Sequence, residues 1–210
     1  LHHWGDGSTH WCCQGSGIEA FARLADSIFW RRDASTATSD TAADAGGAKH
    51  ELLILQLMPS SLRWTEVGVR VHLRGDYPGA ITGGAPLRMQ IGFERIGGGA
   101  AGEAAASGER TALEVWVRMP AWVTALRAKA SGGLTALGDA SAGSLLPLRL
   151  APSASGGLAV ELTPEIKWEK IKDTRSQFAS LHAALYGPLV LAGLTYAERA
   201  LPATIALTPV

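Results

Sequence analysis

The sequence predicts a mainly β protein, an antiparallel β-sandwich preceded by one amphipathic helix. Short runs that alternate apolar and polar residues recur from His50 onward, and turn-forming residues separate them. Before residue 30 the apolar residues instead recur at three- and four-residue spacing, which is typical of a helix with one buried face.

The helix is predicted in the first block of the chain. Ser16 and Glu19 have the S-x-x-E spacing of a capping box, and the glycines on either side of Ser16 permit a tight entry. The amino end of the helix would therefore lie directly after Cys12 and Cys13. Its apolar face comprises Ile18, Phe21, Ala22, Leu24, Ala25, Ile28 and Phe29.

The strands are predicted from period-two patterns. Residues 51–58 form a nearly continuous apolar run, typical of a buried strand. Four further stretches alternate apolar and polar residues, namely 67–74, 89–94, 113–119 and 158–162. The Gly/Ala/Ser-rich stretches Gly97–Gly108 and Ser131–Gly143 are predicted to be enlarged hairpin loops.

The composition divides the chain into four parts. Residues 1–33 carry the cysteines and the helix, 34–49 form a flexible low-complexity insertion, 50–195 the sandwich and 196–210 a tail. Because the chain starts at Leu1 with neither an initiator Met nor a signal-peptide pattern, we expect it to begin inside a larger protein or to have been processed.

The charge composition favours no polyanionic partner. Lys and Arg together number 19, as do Asp and Glu, so neither nucleic acid nor an anionic membrane is indicated. No apolar stretch approaches the roughly 18 residues of a membrane span. Two cysteines do not indicate a compartment, so the localisation stays open.

The densest signal for chemistry is the segment His10-Trp11-Cys12-Cys13. Thiolates are nucleophiles and metal ligands, and the positive end of a helix dipole lowers the pKa of a nearby cysteine. A disulfide between neighbours is strained because adjacent Cα atoms are only about 3.8 Å apart. Packing of both cysteines in a core remains the alternative.

Other polar and aromatic residues give weaker signals. The spacing of His2, His3 and His10 fits no standard zinc pattern, so surface or core positions are favoured. Seven tryptophans could stack on sugar rings, although core packing is favoured for one on a strand, such as Trp116. No two carboxylates are marked as a glycosidase acid and base.

Four segments resemble glycoside hydrolase family 127, which includes β-L-arabinofuranosidases, and its plant and algal branch in particular. They follow the family order along the chain. The segments are His2–Gly5 with Trp11–Phe29, like the double-cysteine segment and its helix; Leu55–Trp64, like the first strand after the barrel; Val117–Trp122, like the R-I-P-x-W strand; and Ile171–Asp173 with Ala184–Gly193, like the closing segment.

The resemblance implies that the helix is left over from an (α/α)6 barrel and that the chain is part of a retaining glycosidase. Cys12 would be a zinc-bound nucleophile, Cys13 a second zinc ligand, and His10 and Trp11 substrate contacts. The carbohydrate substrate would be a β-L-arabinofuranoside or a related furanoside. The other zinc ligands and the acid/base glutamate of the family lie upstream, so we expect this chain to be inactive without the missing N-terminal barrel portion.

Two other functions remain open. The chain could be a non-catalytic β-sandwich module that binds carbohydrate or scaffolds an assembly and merely retains its two cysteines. Alternatively, Cys12 and Cys13 could form a redox-active or metal-sensing vicinal dithiol. A Glu-x-Cys pair and a further Glu encoded just upstream would favour the enzyme.

Overall fold

The computed structural model describes residues 19, 23, 25–33, 50–76, 85–96, 112–170, 172 and 174–191. These residues form thirteen strands and one short 3-10 turn, so the predicted mainly β class is confirmed. The strands are β1 Phe29–Asp33, β2 His50–Ile54, β3 Ser60–Trp64, β4 Val69–Gly75, β5 Leu87–Arg95, β6 Leu113–Arg118, β7 Val123–Gly132, β8 Leu134–Ala136, β9 Leu145–Leu150, β10 Gly156–Pro164, β11 Ile166–Lys170, β12 His182–Tyr186 and β13 Leu189–Leu191, and the 3-10 turn is Ser176–Phe178.

The strands form three sheets. The first sheet has the order β1-β2-β6-β9-β8, the second β3-β4-β5-β10-β7 and the third β11-β12-β13. Among the described strands, β2 and β6 pair in parallel and every other pair is antiparallel. The second sheet takes up β3, β4 and β5 before the chain returns to the first sheet at β6, which allows the parallel pair.

The core lies between the first and second sheets and follows from the period-two alternation. In β5 the side chains of Leu87, Met89, Ile91 and Phe93 are buried while the residues between them face outward. The inward residues of β6 and β9 meet them from the first sheet in one hydrophobic cluster. Because a slip of one residue would turn an entire apolar face to solvent, this alternation fixes the register of each strand.

The predicted helix ends earlier than its apolar spacing indicated. Most of it lies outside the described residues. Among those described, Glu19 is helical and its carbonyl accepts from the Arg23 N–H at 3.1 Å, and the Asp26 N–H donates to the Arg23 carbonyl at 2.9 Å in a turn. Its predicted last turn is wrong, since Ser27 adopts a left-handed φ of 63° and Phe29 begins β1, opposite Ile54. Pairing with β2 therefore overrides helical spacing here. The division of the chain into barrel end and sandwich stays a prediction.

Two further element predictions need correction. The strand predicted over residues 51–58 ends at Ile54, and residues 55–58 continue without strand pairing. The loop predicted over Ser131–Gly143 contains the end of β7 and all of β8. Gly132, with a φ of 66°, lets the chain turn from the second sheet to the first, where buried Leu134 anchors β8. The predicted loop Gly97–Gly108 and the insertion 34–49 lie outside the described residues.

Candidate functional site

The double-cysteine segment lies outside the described residues. This applies to Cys12, Cys13, His10 and Trp11, so their predicted roles stay predictions. Within the described part of the chain, no group of three or more His, Cys, Asp or Glu side chains is placed to hold a metal ion. The described residues therefore form no zinc site, and the predicted ligands Cys12 and Cys13 would make up two of the four ligands that zinc takes in structural sites.

The chain that follows the cysteines enters the sandwich beside residues 55–58. The Leu55 N–H donates a hydrogen bond to the Ile28 carbonyl at 2.9 Å, and Ile28 is buried. At the other end of residues 55–58, the Ser60 hydroxyl donates to the Met58 carbonyl at 2.9 Å. The segment that resembles the first strand after the barrel is thus hydrogen-bonded, through Leu55, to the part of the chain that follows the cysteines.

A cleft opens at this end of the sandwich, with a volume of about 380 Å³. Both sheets contribute to it. Leu87, Met89 and Leu162 reach it from the core face of the second sheet, and Arg118 lies at the end of β6 in the first sheet. Its walls consist of Leu55, Gln56, Leu57, Met58, Leu87, Met89, Arg118, Pro120, Ala121, Trp122, Leu162 and Pro188.

The connection after β6 forms one wall of this cleft. Pro120 has no N–H to donate to a ladder, so the strand pairing stops at Arg118 and the chain turns. The Met119 N–H donates to the Ser144 carbonyl at 2.8 Å, and buried Met119 fastens the turn to the core. This places Arg118 and Trp122 at the cleft.

Trp122 packs against the turn between β12 and β13. A Cβ atom on Gly187 would lie 3.3 Å from the Cε3 and Cζ3 atoms of the Trp122 ring. Gly187 also has a φ of 57°, a left-handed conformation that favours glycine. The glycine of Tyr186-Gly187-Pro188 is therefore needed both for the turn and for the close approach of the indole.

The cleft brings together three of the segments that resemble family 127. Residues 55–58, residues 118 and 120–122, and Pro188 lie far apart in sequence, yet all of them line it. Its polar lining is limited to Gln56 and Arg118, and none of its described lining residues is a carboxylate, histidine or cysteine. The cleft can bind a largely apolar surface, but its described walls supply no nucleophile or general acid.

The outer face of the first sheet presents an apolar row that runs across the strands. The register places Trp30, Leu53, Trp116 and Pro147 side by side on β1, β2, β6 and β9. Trp30 is 52% exposed and Trp116 is half-buried. Core packing, which the sequence favoured for Trp116, is wrong, because its neighbours Val115 and Val117 take the inward positions.

One carboxyl has a displaced pKa. A backbone hydrogen bond, followed by the nearby Arg31 guanidinium, holds the pKa of Glu66 below its usual value. Glu66 lies in the turn between β3 and β4, is exposed and does not line the cleft. A lowered pKa keeps it ionised at neutral pH, which does not suit a general acid.

Comparisons with known proteins support the fold. No family model matches the chain, and no curated protein matches it. The fold is similar to part of a GH127 β-L-arabinofuranosidase from Geobacillus stearothermophilus T6, with a TM-score of 0.51 and 15% identity over 85% of this chain. This chain spans 23% of the length of that protein. At this identity the likeness concerns the fold alone.

A second solved structure gives a weaker match. It is described as a glycoside hydrolase and matches 62% of this chain and 19% of its own, with 13% identity and a TM-score of 0.39. Within the part of the chain that the structure describes, there is no helix of the length and apolar character needed to span a bilayer.

Proposed function

We propose that this chain is the β-sandwich portion of a retaining glycoside hydrolase that acts on β-L-arabinofuranosides or related furanosides, with Cys12 as its nucleophile. The observation that carries the proposal is the cleft. Three segments that resemble family 127 line it, within a fold similar to part of a β-L-arabinofuranosidase. Separate stretches that resemble one family and meet at one place favour common descent over chance likeness.

The proposed reaction takes place outside the described sandwich. The Cys12 thiolate forms a bond to the anomeric carbon while the bond from that carbon to the leaving oxygen breaks. The leaving oxygen takes a proton from an acid outside this chain. Water then attacks the same carbon and gives a proton to the conjugate base of that acid, the carbon–sulfur bond breaks and the thiolate is restored, so one water is consumed for each glycosidic bond cleaved.

This chain would supply two ligands to the proposed zinc site. Cys12 and Cys13 are two thiolates, the ligand type that zinc favours, but zinc usually takes four ligands. The described residues provide no further cluster, so residues elsewhere in the parent protein would complete the site. We therefore expect the isolated chain to hold no tightly bound zinc after dialysis. One zinc per chain, found by elemental analysis, would contradict this expectation.

The test is an assay of the full-length parent protein on an aryl β-L-arabinofuranoside. We expect release of the aryl group, and a loss of at least about a thousandfold in kcat for Cys12→Ser, because removal of a nucleophile abolishes the covalent route. Ser8→Ala, a similarly conservative change shortly before the cysteines, is the control and should retain activity. Full activity of Cys12→Ser would refute the proposed role of that residue.

The apolar row on the first sheet favours a second function, a module that binds neutral carbohydrate. Trp30 and Trp116 lie on strands separated by one strand, so their backbones are about 10 Å apart. Aromatic faces at such a spacing can stack on a sugar chain. We expect Trp30→Ala to weaken binding to neutral arabinan, whereas Trp168→Ala, on the third sheet and 40% exposed, should not. If Trp30→Ala binds neutral arabinan as tightly as Trp168→Ala and the unchanged chain do, this function is excluded.

A further inference from the structure

The outer face of the second sheet is strongly basic although the whole chain is neutral. Strand pairing places six cationic side chains on it against two carboxylates, and Asp76, just after β4, adds a third carboxylate that accepts from the Arg88 N–H at 3.0 Å, so the excess is three positive charges, while the chain has 19 residues of each sign. We name this surface the basic face; it comprises Arg63, Arg70, Arg74, Arg88, Arg127 and Lys129 with Glu94 and Glu161.

The two carboxylates do not neutralise the basic face. Glu161 is shared by Arg88 at 3.3 Å and Arg127 at 3.8 Å. Glu94 lies 3.8 Å from Arg70 and 3.7 Å from the imidazole of His72. Each carboxylate is thus divided between two basic groups.

Three cations of the basic face, Arg63, Arg74 and Lys129, have no described carboxylate within salt-bridge distance. Arg63 stands directly opposite Arg70 in the register. Directly opposed like charges destabilise a sheet. Folding alone gives no reason for this arrangement.

A row of small or polar residues, which we name the groove, crosses the basic face between charged residues. The register aligns Ser61, His72, Gly92, Gly157 and Ser131 side by side across all five strands. With neighbouring strands about 4.8 Å apart, the row spans about 19 Å. Arg63 and Arg70 border it on one side, and Arg74 and Lys129 on the other.

Packing does not require the glycines in the groove. A Cβ atom on Gly92 would meet nothing within 4 Å, and one on Gly157 would make only ordinary contacts at 3.5 Å. Neither has a left-handed φ, and the register runs through both without a bulge. Glycine inside a strand weakens it and often marks the close approach of a ligand.

We propose that the basic face binds a carboxylate-bearing polysaccharide laid along this groove. Charge complementarity requires an anion, and five of the six cations are arginines, whose planar guanidinium groups match carboxylates in two-point hydrogen bonds. The hydroxyls of Ser61 and Ser131 and the imidazole of His72 suit sugar hydroxyls. The described residues of this face include no Phe, Tyr or Trp and only one imidazole, His72, whereas proteins that bind single-stranded nucleic acid stack successive bases on aromatic rings.

The site is independent of Cys12 and can be tested by binding alone. The full chain is titrated with polygalacturonate, with its methyl-esterified form, which has the same backbone without charge, and with a single-stranded DNA oligonucleotide. We expect binding to polygalacturonate that weakens with added salt, and little binding to the ester. Equal binding to the ester, or tighter binding to the DNA, overturns the proposal.

Two charge-matched double variants locate the site. Arg74→Gln with Lys129→Gln removes two cations from the basic face, and Arg32→Gln with Arg149→Gln removes two from the first sheet. Both variants have the same net charge. We expect the first to weaken binding at least about tenfold and the second less than about twofold, because only the first loses charge-assisted contacts. Equal losses would show a general charge effect and refute the site.

A third variant tests the groove without changing charge. Gly92→Val fills the groove floor at a position where an added Cβ atom meets nothing within 4 Å, so we expect the fold to be retained. We expect it to weaken binding by at least about threefold through steric exclusion of the chain, while thermal unfolding shows an intact fold. Unchanged binding by Gly92→Val would contradict the groove as the path of the polysaccharide.

Discussion

The first and second sheets are alike on their inner faces and different on their outer faces. Inside, both present mainly aliphatic and aromatic side chains to one core. Outside, two cations of the first sheet pair with carboxylates, Arg32 with Glu51 and Arg149 with Glu114, beside the apolar row, and Arg118 at the end of β6 is the one further cation among the described residues of that face. The second sheet has cations in excess. The inner faces are what the fold requires, so the difference between the outer faces indicates function.

Truncation of core residues should give the largest losses of unfolding free energy, and these losses should be similar in the two sheets, because both inner faces bury apolar side chains in one core. Phe93 in the second sheet and Leu148 in the first are both 1% exposed. Phe93→Ala should cost about 3–5 kcal/mol of unfolding free energy and Leu148→Ala about 2–5 kcal/mol, through lost burial and a residual cavity. Urea denaturation measures both. If only one sheet were sensitive, the two would not share a core.

Two glycine-to-alanine substitutions in the second sheet should change the unfolding free energy in opposite directions. A Cβ atom on Gly156 would lie 2.7 Å from the Leu134 nitrogen and 2.8 Å from the Ser131 carbonyl oxygen, so backbone must move. We expect Gly156→Ala to destabilise by about 1–3 kcal/mol. Gly92→Ala meets open space and should stabilise by about 0.4–1 kcal/mol, since it restricts the unfolded chain. Thermal unfolding of both variants measures this contrast, and destabilisation by Gly92→Ala would remove the argument that the groove is not needed for folding.

Substitution of one carboxylate on each outer face should give the smallest changes in unfolding free energy. These changes should differ between the two faces in their dependence on salt. Glu161→Gln leaves Arg88 and Arg127 facing each other, whereas Glu114→Gln leaves only Arg149. Exposed pairs contribute about 0–1 kcal/mol, so both changes are small. We expect Glu161→Gln to be the more destabilising at low salt and the difference to disappear at about 1 M salt, where charges are screened within about 3 Å. A difference that persists in 1 M salt would not be electrostatic.

Alternation made much of the core predictable from the sequence. The patterns around Met89, Val115 and Val160 correctly assigned β5, β6 and β10 and their inward residues. Strand β7 was missed, although it alternates too, because its inward positions include Ala128 and Ala130. Alanine has a low β propensity, and only burial against β10 makes it a strand residue.

The candidate sites were less predictable than the core. Equal totals of acids and bases favoured no anionic partner, but charge totals do not show which charges share a face. Which charges share a face depends on strand register. The register places Arg63 beside Arg70, and Arg74 follows His72 by two residues on β4. The cleft likewise depends on segments that meet only after folding, although the motifs containing Trp122 and Gly187 marked two of its walls.

The central claim, that chemistry belongs to Cys12 and the sandwich supports it, is tested most directly by trapping the covalent intermediate. The full-length parent is mixed with an aryl β-L-arabinofuranoside, quenched in acid during turnover, digested and analysed by mass spectrometry. We predict a pentosyl adduct on Cys12 that is absent from the Cys12→Ser variant. Turnover of the substrate with no adduct on Cys12, or an adduct on another residue, would contradict the claim.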